Sequence, residues 1–158
     1  MSTKNKNNDS SRTKHHSKTQ TRQLEKTQSL ADLADKFNTV VMGIVKHLSE
    51  YYNEVAGLGG MDLILSSIIH DAPEEPIAYF IMNVYKNDDY RTNILNQNDK
   101  FFVNHHYDEH LKDGDKDRIA KLFEFKELWK QIDTDTKNYI KKAMLALVKI
   151  SQKYILTL

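Results

Sequence analysis

The sequence predicts an all-α protein, an irregular multi-helix bundle that forms a single domain behind a disordered N-terminal tail. Three observations support this fold class. Apolar residues recur at three- and four-residue steps after residue 29, no segment alternates strictly between apolar and polar residues, and residues 2–22 hold no apolar residue. We therefore divide the chain into a flexible basic N-terminal tail, residues 1–28, and an α-helical domain, residues 29–158.

The first helix is predicted to begin at Ser29, because Ser29 and Asp32 have the spacing of a capping box. The glycine-rich residues 57–60 are expected to end it, since glycine adopts the left-handed conformation without steric cost. A phosphate-binding loop is the alternative, but no strand is predicted before these glycines and no lysine follows at the required spacing. The apolar stripe of this helix comprises Leu30, Leu33, Phe37, Val40, Val41, Ile44, Leu48, Tyr51 and Val55.

The remaining helices have recognisable starting signals. Asp62 is expected to cap a short helix that is apolar nearly all round and therefore buried, and residues 71–76 combine prolines and acidic residues as a helix start does. A short helix is predicted at residues 90–95. The helical pattern is then expected to break near Phe125 and to restart at Asp133 for the final helix.

Composition excludes several kinds of site. The chain has 158 residues and no cysteine, which excludes disulfides, thiolate zinc sites and cysteine nucleophiles. Its polar start lacks the apolar core of a signal peptide, and the longest apolar stretch, residues 63–69, is too short to span a bilayer. We therefore expect an intracellular protein with no membrane partner.

The net charge is only +1, but the cations are concentrated at the two ends of the chain. Lysines on an exposed helix often serve solubility alone, and arginine, the usual base-reading residue, is scarce. The alternative is that these cations contact nucleic-acid phosphates. The candidate contacts are Lys4, Lys6, Arg12, Lys14, Lys18 and Arg22 in the tail, and Lys141, Lys142 and Lys149 in the final helix, where Lys137 and Lys153 add further positive charge.

One cluster has the spacing of zinc ligands. His106, Glu109 and His110 match the H-x-x-E-H zinc pattern, which would place both histidines on one face of a helix. The flanking residues are polar, however, and no third ligand can be identified in the sequence. A solvated loop is the preferred interpretation of this cluster.

A second cluster partly matches a calcium-binding loop. Asp113, Asp115 and Asp117 fall at the first, third and fifth positions of an EF-hand, and Glu124 falls at the twelfth. Arg118 occupies the position at which the sharp turn requires glycine. The aspartates are therefore interpreted as a turn and an acidic helix start, and we predict neither a metal site nor a cofactor.

The C-terminal part of the chain resembles a known group of proteins. Residues 125–132, FKELWKQI, residues 136–140, TKNYI, and the leucine-rich last helix are similar to the end of small helical proteins of nucleocytoplasmic large DNA viruses, the mimivirus-like giant-virus group. The similarity departs at residues 140–141, where the group has a second tryptophan followed by lysine or tyrosine. The resemblance implies a viral source and a location in the host cytoplasm or nucleus or with the virion, and it carries over no catalytic residue.

We predict from these observations a non-enzymatic helical binding or scaffold protein that engages a protein partner, or a second copy of itself, through the helical core. No Gly-x-Ser-x-Gly motif or other catalytic arrangement is recognisable, so no catalytic residue is predicted. Phe125, Leu128 and Trp129 are the candidate partner contacts, and ordinary core packing is the alternative role for all three. The alternative function is nucleic-acid binding through the basic arm and the lysines of the final helix.

Overall fold

The computed structural model describes residues 6–54, 59–104, 119–123 and 125–158, with side chains described for these residues except 6–16, 53, 54 and 127. All regular structure in this part of the chain is helical, which confirms the predicted all-α class. The helices are α1 Lys6–His47, α2 Ser49–Glu54, α3 Met61–Asp71, α4 Glu75–Phe80, α5 Asp88–Leu95, α6 Lys100–Asn104, α7 Lys126–Trp129 and α8 Thr134–Thr157.

The frame of the fold is an antiparallel pair formed by α1 and α8. Near one end of the pair, Tyr139 at the start of α8 stacks on His47 at the end of α1, with 3.6 Å between the ring centroids. Near the other end, Leu156 at the end of α8 lines the same groove as Leu33 of α1. The shorter helices pack against this pair, α3 and α4 on α1 and α5 on α8.

The core is held together by a series of aromatic contacts between elements that are distant in sequence. Phe80 of α4 meets Phe37 of α1 and Phe123 at centroid separations of 5.4 Å, and Phe102 of α6 lies 5.5 Å from Phe125. Such edge and tilted ring contacts stabilise the core beyond the apolar area that they bury. They join α4 to α1 and α6 to the residue before α7.

The start of α1 differs from the prediction. The helix begins at Lys6 and not at Ser29, and Asp32 accepts a hydrogen bond from the Gln28 side chain (2.9 Å) inside the helix. Every residue from 17 to 29 is exposed, and Ala34 is the first fully buried side chain. Residues 17–29 therefore follow a helical path but receive no packing from the core, because they offer no apolar face to bury.

The end of the first predicted helix also differs. The helix is interrupted at Leu48, which separates α1 from α2, although the Leu48 N–H donates to Ile44 (3.0 Å) and the Tyr52 N–H donates to Leu48 (2.9 Å). The apolar stripe therefore continues across the interruption. Residues 55–58, which include the first predicted glycine of the helix end, lie outside the described residues.

Helix α3 corrects two predictions. Its N-cap is Gly60, with a left-handed φ of 73°, whereas the predicted cap Asp62 lies within the first turn. The helix is also not buried all round, because Leu63 is 73% exposed while Met61 and Leu65 are buried. α3 therefore packs on α1 with one face only.

Helix α4 continues into a π-helical turn that the apolar pattern does not reveal. This turn, Ile81–Tyr85, ends with the Lys86 N–H donating to the Ile81 carbonyl at 3.0 Å, a five-residue step. Ile81 and Val84 remain buried on the side of the core, in line with Ile77 of α4. The extra residue in the turn thus preserves the face that the sequence pattern marks as apolar.

Candidate nucleic-acid interface

The most exposed element of the described structure is the first part of α1, residues 17–29, which we call the arm. It extends about 20 Å along the helix axis, at 1.5 Å per residue. Thr157 at the end of α8 lines the same groove as Ser29, the last residue of the arm. The arm therefore begins where its partner helix ends, and no described helix packs beside it.

The arm carries three cations on neighbouring turns. Lys18, Arg22 and Lys26 are four residues apart, so they lie on one side of the helix. All three are exposed, and none forms an ion pair with a carboxylate in the described part of the chain. Glu25 is the acidic residue of this segment. Because Glu25 is seven residues from Lys18, it lies on the same side of the helix, and this exposed face therefore carries three cations and one carboxylate.

The structure describes the side chains of two of the predicted tail contacts. Lys18 and Arg22 are on the exposed face of the arm, as nucleic-acid binding requires. Lys4 lies outside the described residues, and the side chains of Lys6, Arg12 and Lys14 are not described. Lys26 was not among the predicted contacts, although its four-residue spacing from Arg22 is visible in the sequence.

The predicted lysines of α8 separate into two groups. Lys142 and Lys149 are exposed. The Nζ atom of Lys141 instead lies 2.6 Å from a carboxylate oxygen of Asp99, and only 19% of its side chain is exposed. Lys141 therefore joins α8 to the turn before α6, and this ion pair makes it unavailable to a phosphate. Its side chain also points about 100° away from that of Lys142 around the helix axis.

The three predicted partner contacts are core residues in this fold. Phe125, Leu128 and Trp129 are all buried, and Trp129 stacks on Phe102 at a centroid separation of 4.1 Å. The reason is that α7 packs against α6 and turns its apolar residues inward. A partner cannot reach these side chains in the folded protein.

The two clusters with metal-ligand spacing cannot be placed. His106, Glu109 and His110, and the aspartates at 113, 115 and 117, lie outside the described residues. Among the residues that are described, no group of three or more His, Cys, Asp or Glu side chains could hold a metal ion. Within the same residues, no helix has the length and apolarity that crossing a membrane requires.

A shallow groove lies where the arm meets the core. It is lined on the α1 side by Lys36 and on the α8 side by Lys153, with Leu33 and Leu156 between the two helices. Leu156 is 79% exposed and Leu158 is 64% exposed. The groove thus combines the exposed Leu156 with Lys153 and with Lys36, a lysine that was not among the predicted contacts.

No family model, curated protein or solved structure matches this chain. The viral source implied by the resemblance of the C-terminal residues therefore stays a prediction.

Proposed function

We propose that the protein is a non-enzymatic binding protein in which the helical core carries a cationic arm that binds nucleic acid. The arm supports this proposal because its three cations are exposed, unpaired within the described residues and spaced along one side of a helix. Cations arranged in this way attract phosphates without reading bases. The contact is therefore expected to be with the phosphate backbone and to have little sequence preference.

The position of the arm also favours binding over a role in solubility alone. A helix that packs on nothing gains no tertiary stabilisation, and short isolated helices are marginal in water. Phosphates along the cationic face would neutralise the repulsion between Lys18, Arg22 and Lys26, which lie about 6 Å apart along the axis. Binding of a polyanion is thus expected to stabilise the arm as a helix.

The proposal is tested with the full-length protein and a triple variant, Lys18→Gln, Arg22→Gln and Lys26→Gln. Fluorescence anisotropy of a labelled DNA duplex gives the affinity at about 50 and about 200 mM salt. The variant should bind more weakly, and the slope of log K against log salt should fall by about 0.9 for each phosphate that the variant no longer neutralises.

The matched control replaces three exposed lysines outside the arm, Lys46→Gln, Lys100→Gln and Lys130→Gln. It removes the same total charge but should leave most of the affinity in place. If both triple variants lose affinity equally, the effect reflects net charge and the arm does not bind the duplex. If the wild-type protein does not bind at about 50 mM salt, the proposal fails.

A protein partner is the second candidate, and the groove favours it. The contacts predicted from the sequence are buried, but Leu156 and Leu158 expose apolar side chains beside the groove at the end of α8. Self-association through this end can be tested by sedimentation velocity of the wild type and of a Leu156→Glu, Leu158→Glu variant. A wild-type dimer that the variant converts to a monomer would support this candidate, and a wild-type monomer would argue against self-association.

A further inference from the structure

The lysines of α8 form a face of their own. Lys142, Lys149 and Lys153 are separated by seven and four residues, which places them within about 40° of one another around the helix axis. All three are exposed, on the side of α8 opposite to the buried Ile140 and Leu147. This face therefore points to solvent along half the length of the helix.

The groove connects this face to α1. Lys153 at the end of the lysine face and Lys36 of α1 line the same groove. Because α1 and α8 are antiparallel, the C-terminal end of α8 lies beside the part of α1 that leads into the arm. Lys18 is 18 residues from Lys36, which is five whole helical turns, so the two lie on the same side of α1.

We infer that the arm and α8 together present one continuous cationic track for a double-stranded nucleic acid, with Lys36 and Lys153 as its junction. This inference rests on the proposed function and extends it from the arm to the packed domain. The track consists of Lys142, Lys149, Lys153, Lys36, Lys26, Arg22 and Lys18.

The length of the track defines the expected binding site. Lys142 and Lys153 are about 16 Å apart along α8, and Lys36 and Lys18 are about 27 Å apart along α1. Joined at the groove, these two parts extend over about 40 Å. A duplex rises about 3.4 Å for each base pair, so the track spans about twelve base pairs.

The charge along the track is predominantly positive. Seven cations are accompanied by three carboxylates, Glu25, Asp32 and Asp35, and Asp32 accepts a hydrogen bond from Gln28. No aromatic side chain belongs to residues 17–29 or lines the groove. Single-stranded nucleic acid is usually held by bases stacked on aromatic rings, whereas a duplex presents its phosphates outward. The track therefore suits a duplex.

The decisive variant removes the α8 half of the track in the full-length protein: Lys142→Gln, Lys149→Gln and Lys153→Gln. Its affinity is compared with that of the wild type on DNA duplexes of about 8, 12, 16 and 24 base pairs, with single strands of the same lengths alongside. Wild-type affinity should rise up to about 12 base pairs and then change little. The variant should bind the 12-base-pair duplex roughly tenfold or more weakly at about 100 mM salt and gain less from duplexes longer than about 8 base pairs.

Each outcome of this experiment supports or overturns the track. The control Lys46→Gln, Lys100→Gln and Lys130→Gln variant should keep the wild-type dependence on duplex length. If the α8 variant binds like the wild type while the arm variant is weakened, the track is overturned but the arm function stands. Tighter binding of single strands than of duplexes would also overturn the track, and no wild-type binding at low salt would overturn both proposals.

Discussion

At the scale of single residues, Asn38 and Ser151 are the polar side chains buried in the described core, and they differ in their hydrogen bonds. The Asn38 amide donates to the Pro73 carbonyl at 2.8 Å and so ties α1 to the residues before α4. The Ser151 hydroxyl has no partner within the described protein. Removal of the two side chains should therefore affect stability differently.

Asn38→Ala should lower the free energy of unfolding by about 1–3 kcal/mol, because the partly buried Pro73 carbonyl loses its donor. Ser151→Ala should leave it nearly unchanged or raise it, since no protein hydrogen bond is removed. Urea denaturation monitored by circular dichroism measures both variants. A destabilisation in Ser151→Ala as large as that in Asn38→Ala would show that the hydroxyl is engaged in the folded state.

Gly43 allows the Tyr139 side chain of α8 to approach α1 closely. A Cβ atom at this position would lie 2.6 Å from the Tyr139 Oη atom, and the Tyr139 ring is held against His47. Gly43→Ala should therefore gain about 1 kcal/mol of stability from the higher helix propensity of alanine. Displacement of Tyr139 should cancel part of this gain. The double variant Gly43→Ala, Tyr139→Phe lacks the clashing oxygen and should melt at a higher temperature than Gly43→Ala. Equal melting temperatures would contradict this account of the approach.

Two tyrosines make stability sensitive to alkaline pH. Burial raises the pKa of Tyr79 to about 12, and burial likewise raises the pKa of Tyr52, whose hydroxyl donates to the Leu122 carbonyl at 3.1 Å. The pKa of Tyr79 is higher in the folded than in the unfolded protein. Its contribution to the free energy of unfolding is therefore fully present below about pH 10 and is lost as the pH rises toward about 12. Urea midpoints should fall over this range, and Tyr79→Phe should make the fall shallower. An unchanged pH dependence in that variant would contradict the assignment.

At the scale of elements, the cap of α8 gives the helix an acid-sensitive start. The Asp133 carboxylate accepts a hydrogen bond from the Thr136 N–H at 2.7 Å, and this bond holds the pKa of Asp133 below its ordinary value. The stabilisation is therefore present above the unfolded pKa and is lost as the pH falls through the folded pKa. Asp133→Ala should lower the melting temperature at pH 7 but not at strongly acid pH, whereas Asp133→Asn keeps a capping group. A constant deficit of Asp133→Ala at both pH values would contradict this role.

Helices with a cap and an apolar face could be predicted from the sequence, and those without one could not. α8 begins after the predicted Asp133, and α5 covers the predicted residues 90–95. The arm shows no apolar periodicity, so its helical path was missed. The prediction of partner contacts around α7 was wrong for a related reason. Periodicity identifies an apolar face but does not tell whether the core or a partner covers it.

In the candidate site, too, some residues could be predicted from the sequence and others could not. Lys18 and Arg22 could be identified from the charge of the tail alone. Lys141 could not be excluded from sequence, because its ion pair with Asp99 depends on how α8 packs on the preceding helices. Lys36 was missed, because it meets Lys153 only through the antiparallel pairing of α1 and α8.

At the scale of the whole molecule, stability is distributed unevenly between the arm and the core. The arm has no tertiary packing to break before it unfolds locally, whereas Lys46 and Lys149 sit on helices whose other faces are buried. Limited trypsin digestion should therefore cut after Lys18, Arg22 and Lys26 before it cuts after Lys46 or Lys149. Mass spectrometry of the early fragments checks the order, and earlier cleavage after Lys149 would contradict it. A saturating DNA duplex should slow the arm cleavages selectively.

The uninterrupted path of α1 from the arm into the core fixes the rotational phase of the arm. No flexible hinge separates Lys26 from Ala34, so each residue inserted near Ser29 would turn the arm by about 100° relative to α8. One added alanine would point the arm cations away from Lys153, and four would return them to within about 40° of the original direction. The number of residues between the arm and the core therefore sets the direction in which the arm cations point relative to α8, and it matters as much as the chemistry of those residues.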